Sequence, residues 1–429
     1  MDCPECAFQI DFSQAQSNET YNITIGPVGV DGTAVASLYA PTAWGAIWGI
    51  QTFSQLLNFD SNNYLLYNSS ISIYDVPRFQ YRGVMIDTSH HFMSLGTMKR
   101  ILDGMSANKL NVLHWMQRSA VATSIASDIF PELTANPDGD SNPNDGGAFA
   151  AAATFSQSDV LTLVQYAKNH GIHVIIEQGG LEASASFGKS HPELMACPSL
   201  LPKGYPTYEA ISMNPLDNRT LDFLSAYWGE TDQTSTDFIH MGGDLLDYAA
   251  CWSLNKNITD YKSQSGLSYD QIQAGFLTSV WNQVVMPGQV FSNSQSMMYR
   301  ASSSNLDQFP LTASAPMFSE WQNNGVLFQA MDSYTMMNLT TQQWDVVYSG
   351  PDWDLADLSW IPAATSANVF DSWKMVYQVD PLFEVTAANA EYVLGGQVSM
   401  YTQQVDQESI QEMVRPQPLT HRPEHHAAQ

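Results

Sequence analysis

Basic residues are scarce in this chain. Its 429 residues hold 16 Lys plus Arg against 43 Asp plus Glu, a formal charge of −27. Nucleic acid and anionic membrane surfaces both need a basic face, so neither is an expected partner. Charge of either sign is low: 14% of residues are charged, against about 25% in an average domain. The polar surface must then be built largely from Ser, Thr, Asn and Gln. No apolar run reaches the ~18 residues that a membrane-crossing helix needs. No signal peptide is expected in the chain, which opens MDCPECAFQIDF with acidic residues where a basic segment would stand. Cysteine is confined to four positions, Cys3, Cys6, Cys197 and Cys251. What is present suffices for a core: 44% of residues are hydrophobic. A chain this long holds two or three domains, or one large barrel with an appendage.

Residues 1–78 read as a small α+β unit. YNITIGPVGV (21–30) and TAVASLYA (33–40) alternate like strands. Thr42 can cap the helix that follows, and SISIYDVPRF (70–79) is a strand ended by Pro77. From residue 79 to about 411 short apolar runs alternate with amphipathic helices, the pattern of βα units and a parallel sheet. RGVMID (82–87), NVLHWM (111–116), HVIIEQ (173–178) and FIHMGGD (238–244) are the first strands. Met98, Ile101, Leu102 and Met105 give helical spacing between the first two. Ser156 and Asp159 form a capping box that opens a helix ending at Gly171. SMMYR, APMFSEW, WDVVYS and YVLGGQVSMY complete eight strands, so the expected fold is α/β, a (β/α)8 TIM barrel preceded by a small α+β domain. The loop 135–152 and the tail 412–429 are rich in turn formers and carry no core pattern, and the tail is expected to be disordered.

In such a barrel the chemistry sits at the C-terminal ends of the strands. Asp87, Trp115, Glu177 and Asp244 fall there on this reading. Six N-x-Ser/Thr sequons, at Asn18, Asn22, Asn68, Asn218, Asn257 and Asn338, fit a secreted chain, although a Ser/Thr-rich composition yields several by chance. Cys3-Pro-Glu-Cys6 is half of a zinc site or a redox pair. With no second such pair it is read as non-functional. His421, His425 and His426 belong to the tail, so no metal or cofactor is expected.

RGVMIDTSHHF, ILDGMSANKLNVLHW, GIHVIIE, FGKSHPEL and FIHMGGDLLDYAACW together resemble glycoside hydrolase family 20, the β-N-acetylhexosaminidases. GAIWGIQTFSQLL resembles the last helix of that family's N-terminal domain, and DSWKMVYQVDPL and VLGGQVSMYTQQVD its barrel end. The resemblance implies removal of terminal N-acetylhexosamine from glycans by substrate-assisted catalysis, in which the sugar's acetamide oxygen attacks the anomeric carbon. An Asp-Glu pair after the fourth strand then orients the acetamide and protonates the leaving oxygen. Carried over by residue, Asp244 matches the orienting Asp, and Arg82 matches the Arg that grips sugar hydroxyls. Leu245 stands where the family has its acid. Trp321, Trp353 and Tyr401 are the implied aromatic walls.

Other pocket positions differ from the family pattern as well. The second strand reads His114, Trp115, Met116, with Ser119 and Ala120 for an Asp pair. Leu181, Glu182 and Ala183 replace Pro-Gly-His, Asp354 replaces a Tyr, and Gln397, Tyr401 and Gln403 replace Glu, Trp and Glu. A Cys197–Cys251 disulfide, a secreted or lysosomal/vacuolar location, and a homodimer are further implications of the resemblance. The expected activity is impaired or lost. The alternatives are an active enzyme whose acid is displaced to Asp247 or Glu182, and a non-catalytic glycan-binding or interaction barrel.

Overall fold

Alternation along residues 21–25 buries Tyr21, Ile23 and Ile25 and leaves Asn22 and Thr24 outward. That strand is the centre of the first sheet in a computed structural model of the chain. The structure describes residues 18–134, 153–280 and 380–410, together with segments 296–301, 325–329 and 345–352. Within these ranges positions 31, 61–62, 67–69, 118–119, 178–180, 182–183, 204–209, 233–237, 241–247, 383–384 and 403–404 are not described. β1 (Tyr21–Ile25) pairs antiparallel with β2 (Ala36–Tyr39) on one side. On its other side lies β5 (Ile71–Asp75). α1 (Ala43–Leu56) covers one face, capped by the Thr42 hydroxyl, with Trp48 against Tyr21, Ile23 and Ile25. The strand expected over 21–30 stops at Ile25. A short hairpin, β3 (Asn58–Asp60) with β4 (Asn63–Leu65), was not foreseen.

Eight parallel strands follow and close on themselves. They are β6 (Tyr81–Asp87), β7 (Val112–Met116), β8 (His173–Glu177) and β9 (Phe238–His240), then β10 (Ser296–Ala301), β11 (Gly325–Gln329), β12 (Asp345–Asp352) and β13 (Val393–Met400). Each pairs with the next, and β13 pairs with β6, so the sheet is a closed barrel. The sixth barrel strand is Gly325–Gln329, not APMFSEW, which lies outside the described residues. α2 (Leu95–Ala107) and α3 (Gln157–Asn169) follow β6 and β7. After β8 come α4 (Ala185–Gly188) and α5 (Asn218–Asp232). After β9 come α6 (Tyr248–Trp252), α7 (Lys256–Ser265) and α8 (Tyr269–Val280). The Ser156–Asp159 capping box is formed, and Gly171 takes a φ of 74° just past α3, where a residue with a Cβ is disfavoured.

Period two decides which strand residues reach the barrel interior. Val84, Ile86, Leu113, Trp115, Val174 and Ile176 turn outward and pack on Met98, Ile101, Leu102 and Met105 of α2 and on Val160 and Leu163 of α3. Their neighbours Asp87, His114 and Glu177 are also buried, on the opposite face, and fill the inside. On the barrel axis these polar residues alternate with Met85, Val112 and Ile175, which the same parity turns inward. Among the described residues no helix is long and apolar enough to cross a membrane.

Candidate active site

The interior carries one connected polar layer. Tyr81 Oη donates to Oε1 of Gln397 (2.7 Å), which leaves the Gln397 amide nitrogen to donate to Nδ1 of His114 (3.0 Å). The His114 proton therefore sits on Nε2 and is donated to the Glu177 carboxylate (2.8 Å). His240 stacks on His114, with centroids 4.3 Å apart, and its Nδ1 lies 3.4 Å from the same carboxylate oxygen. Gly83 leaves the room for this layer: a Cβ there would stand 2.5 Å from the Tyr81 ring and 3.0 Å from Gln397 Cβ. Gln397 thus lies in the buried layer, hydrogen-bonded to Tyr81 and His114.

His114, Glu177 and His240 form the one group of potential metal ligands among the described residues, with ligand atoms within 4.8 Å of one another. The hydrogen-bond pattern does not suit a metal. Coordination through His114 Nε2 needs a lone pair where the Gln397–Tyr81 chain has fixed a proton. The group is read as a proton-bearing brace across three strands.

The second cluster lies at the C-terminal ends of β6 and β13. The Asp87 carboxylate accepts from Ser89 N (2.7 Å) and Ser89 Oγ (2.6 Å), from the Nδ1 of His90, and from Thr402 N (3.2 Å) and Thr402 Oγ1 (3.3 Å). Burial alone would raise this carboxyl's pKa. The His90 charge and the His90 and Ser89 hydrogen bonds outweigh it and hold the pKa below the usual value. His91 bonds Thr402 as well, through its backbone N–H to Oγ1 (3.0 Å) and through its ring to the carbonyl. Tyr401, half-buried, directly follows β13 at this same mouth. Asp87, read from the sequence as a strand-end residue, stands at this mouth, and of the aromatic walls implied by the resemblance Tyr401 is the one among the described residues. Asp244, Leu245, Trp321 and Trp353 lie outside the described residues, as do Ser119, Glu182, Asp247, Asp354, Gln403, Cys3 and Cys6.

Arg82 is a correction. It stands at the start of β6, at the end of the barrel opposite the mouth, and its odd offset from Asp87 turns it outward. Its Nε donates to the Lys109 carbonyl (2.8 Å), another nitrogen to the Phe79 carbonyl (2.7 Å), and the remaining one pairs with the Glu19 carboxylate. Asn111 Nδ2 holds the other oxygen of Glu19 (3.0 Å). Arg82 is therefore the anchor between the small domain and the barrel floor. Arg82→Met is expected to cost roughly 3–5 kcal/mol, the range for stranding one partner of a buried pair. Sugar affinity should not change. Denaturant melts and calorimetric titration with N-acetylglucosamine check both halves. Trp115 is a second correction: it turns outward onto Phe155 and donates to Thr88 Oγ1 (2.8 Å).

Cys197 and Cys251 form a disulfide. It joins the loop after β8 to α6 after β9, and beside it Trp252 donates to Ser212 Oγ (2.7 Å). Closing a 54-residue separation stabilises by about 4 kcal/mol on the chain-entropy account.

Fold and site together define a TIM-barrel protein with a small N-terminal α+β domain and polar groups at the strand C-termini, the architecture of a barrel enzyme. The family model "Glycosyl hydrolase family 20, catalytic domain" matches residues 79–420, and one described as "beta-acetyl hexosaminidase like" matches residues 4–56. The chain belongs to glycosyl hydrolase family 20. It is 28% identical over 406 residues to the cat β-hexosaminidase subunit beta, covering 92% of this chain and 67% of that one. To the human subunit beta it is 29% identical over 398 residues, covering 92% and 64%. The chain thus spans about two thirds of the length of these relatives. Its fold matches that of the Flavobacterium johnsoniae chitobiase with a TM-score of 0.70 at 19% identity, covering 91% of this chain and 53% of that one. It also matches an exo-β-N-acetylglucosaminidase from Vibrio harveyi, solved with N-acetylglucosamine, with a TM-score of 0.71 at 18% identity, covering 92% and 62%.

Sequence reasoning missed His90 and His240, and it named His114 and Glu177 without joining them in one layer. The TSHH run after the first strand was the available signal for His90. The layer has no local signal, because its members come from three strands.

Proposed function

We propose that this chain is a family 20 barrel that recognises terminal N-acetylhexosamine but hydrolyses it poorly or not at all. The observation that carries the reading is Leu245 beside Asp244. Asp244 retains the group that steadies the acetamide as it attacks the anomeric carbon. Leucine has no proton to give the leaving oxygen, and a general acid contributes about 10²–10⁴-fold. His90, held by an ionised Asp87 at the mouth, and Tyr401, directly after β13, are the described groups that support sugar binding. His90 takes the hydroxyl-gripping role for which Arg82 is misplaced. The disulfide supports a secreted or lysosomal/vacuolar setting. A homodimer is the assembly we assign, and light scattering checks it.

The test is hydrolysis of an unactivated N-acetylglucosamine disaccharide, scanned from acid to neutral pH, beside release from a nitrophenyl N-acetyl-β-glucosaminide. The disaccharide is expected to survive. The nitrophenyl leaving group needs little protonation, so slow release from it is compatible with the reading, and Asp244→Asn should abolish it. Disaccharide turnover that Asp244→Asn removes would overturn the reading, because it requires a displaced acid.

A further inference from the structure

The outer face of the small sheet is unusual. Tyr39 of β2 and Tyr74 of β5 are 72% and 71% exposed. Both are in direct register with Asn22 of the central strand β1, so Tyr39, Asn22 and Tyr74 form one row across the sheet. Directly paired side chains on one face stand about 4.5–5.5 Å apart at Cβ. Asn22 opens the sequon Asn22-Ile23-Thr24, and Thr24, on the same face, is exposed while Ile23 is buried on the other. The Asn22 Oδ1 is buried and has no hydrogen-bond partner among the described residues. Two largely exposed tyrosines flanking one carboxamide give this sheet face an apolar surface that no described residue covers.

We propose that Asn22 is an N-glycosylation site and that its first N-acetylglucosamine residues lie on Tyr39 and Tyr74. The donor is a lipid-linked pyrophosphoryl oligosaccharide. The Asn22 Nδ2 forms a bond to the sugar's anomeric carbon and loses one proton. The bond from that carbon to the pyrophosphate oxygen breaks, and the lipid pyrophosphate leaves with the electron pair. No oxidant or reductant is involved. The attached sugar then presents its flat C–H face to the tyrosine rings, whose hydroxyls stay in water. The proposal rests on the secretory setting given above, and it assigns an occupant to the exposed face.

The experiment uses the full chain made in a eukaryotic secretory host. Enzymatic deglycosylation in heavy-oxygen water converts each occupied Asn to labelled Asp, and mass spectrometry resolves Asn18 from Asn22. Label at Asn22 is expected, and Thr24→Ala should remove one oligosaccharide while leaving the fold intact. Tyr39→Ala should lower the melting midpoint of the glycosylated chain and leave that of Thr24→Ala unchanged, the signature of contact between ring and glycan. A chain glycosylated at other sequons but not at Asn22 overturns the proposal and leaves the secretory setting standing. A chain with no glycan at any sequon overturns both. Occupancy at Asn22 with equal Tyr39→Ala effects in both backgrounds overturns the stacking.

Discussion

Leu245→Glu is expected to raise hydrolysis of an unactivated N-acetylglucosaminide by about 10²-fold or more, within the span a general acid supplies. On the proposed reading the new carboxyl supplies a proton donor next to Asp244, the residue assigned to orient the acetamide. Leu245→Gln serves as the control. It matches the size and polarity of Glu but has no acidic proton, so it should leave turnover at background. The gain should be lost as pH rises through the pKa of the new carboxyl, because only the protonated form donates. Nitrophenyl release should rise far less than disaccharide cleavage, since its leaving group departs as a stable anion. The restored rate is expected to stay below that of an intact family member, because other changed positions reduce transition-state stabilisation, and effects within one constellation do not add. Equal gains for Glu and Gln would show that shape at position 245, not proton supply, limits the reaction.

A stability effect as large as that of Arg82→Met is expected from Asp87→Asn. This carboxylate is fully buried and accepts from four donors besides the His90 ring. An amide of the same shape presents N–H hydrogens to backbone N–H groups and removes the charge opposite His90. The cost should be roughly 3–5 kcal/mol, as for breaking a buried charged network. The sign with pH follows from the depressed pKa of Asp87 in the folded state. A depressed carboxyl stabilises fully above its unfolded value of about 3.9 and loses that contribution as pH falls through the folded one. The gap between wild type and variant should therefore be constant from neutral pH down to about 4 and narrow below it. Denaturant midpoints at several pH values read this directly. A gap that widens with acid would assign the effect to another group.

The sequence made the alternation of strands and helices readable because each signal was local. The Ser156–Asp159 box and the four apolar residues of α2 each fall within about two helical turns, and Gly171 follows directly on the end of α3. Arg82 was also readable and was misplaced. RGVMID alternates, so the Asp87 that turns inward at the mouth requires Arg82 to turn outward at the floor. Family likeness supplied a role where strand parity excluded it. The sixth barrel strand was misplaced because short apolar runs such as APMFSEW and GVLFQ differ too little for periodicity to choose between them. The layer of His114, Glu177 and His240 was out of reach. Two of its members are 63 positions apart in the chain, and closure of the barrel is what brings them together.

The pairing of Arg82 with Glu19 bears on how freely such proteins can be recombined. A barrel excised at the domain boundary would keep a guanidinium at its floor and lose the carboxylate that answers it. A foreign small domain grafted in its place must bring an acid to the same spot, with an amide such as Asn111 free to hold its second oxygen. The two units are separate in topology yet share one charge balance. Shuffling them is constrained less by linker length than by complementary contacts such as this one and the Lys109–Asp75 ion pair.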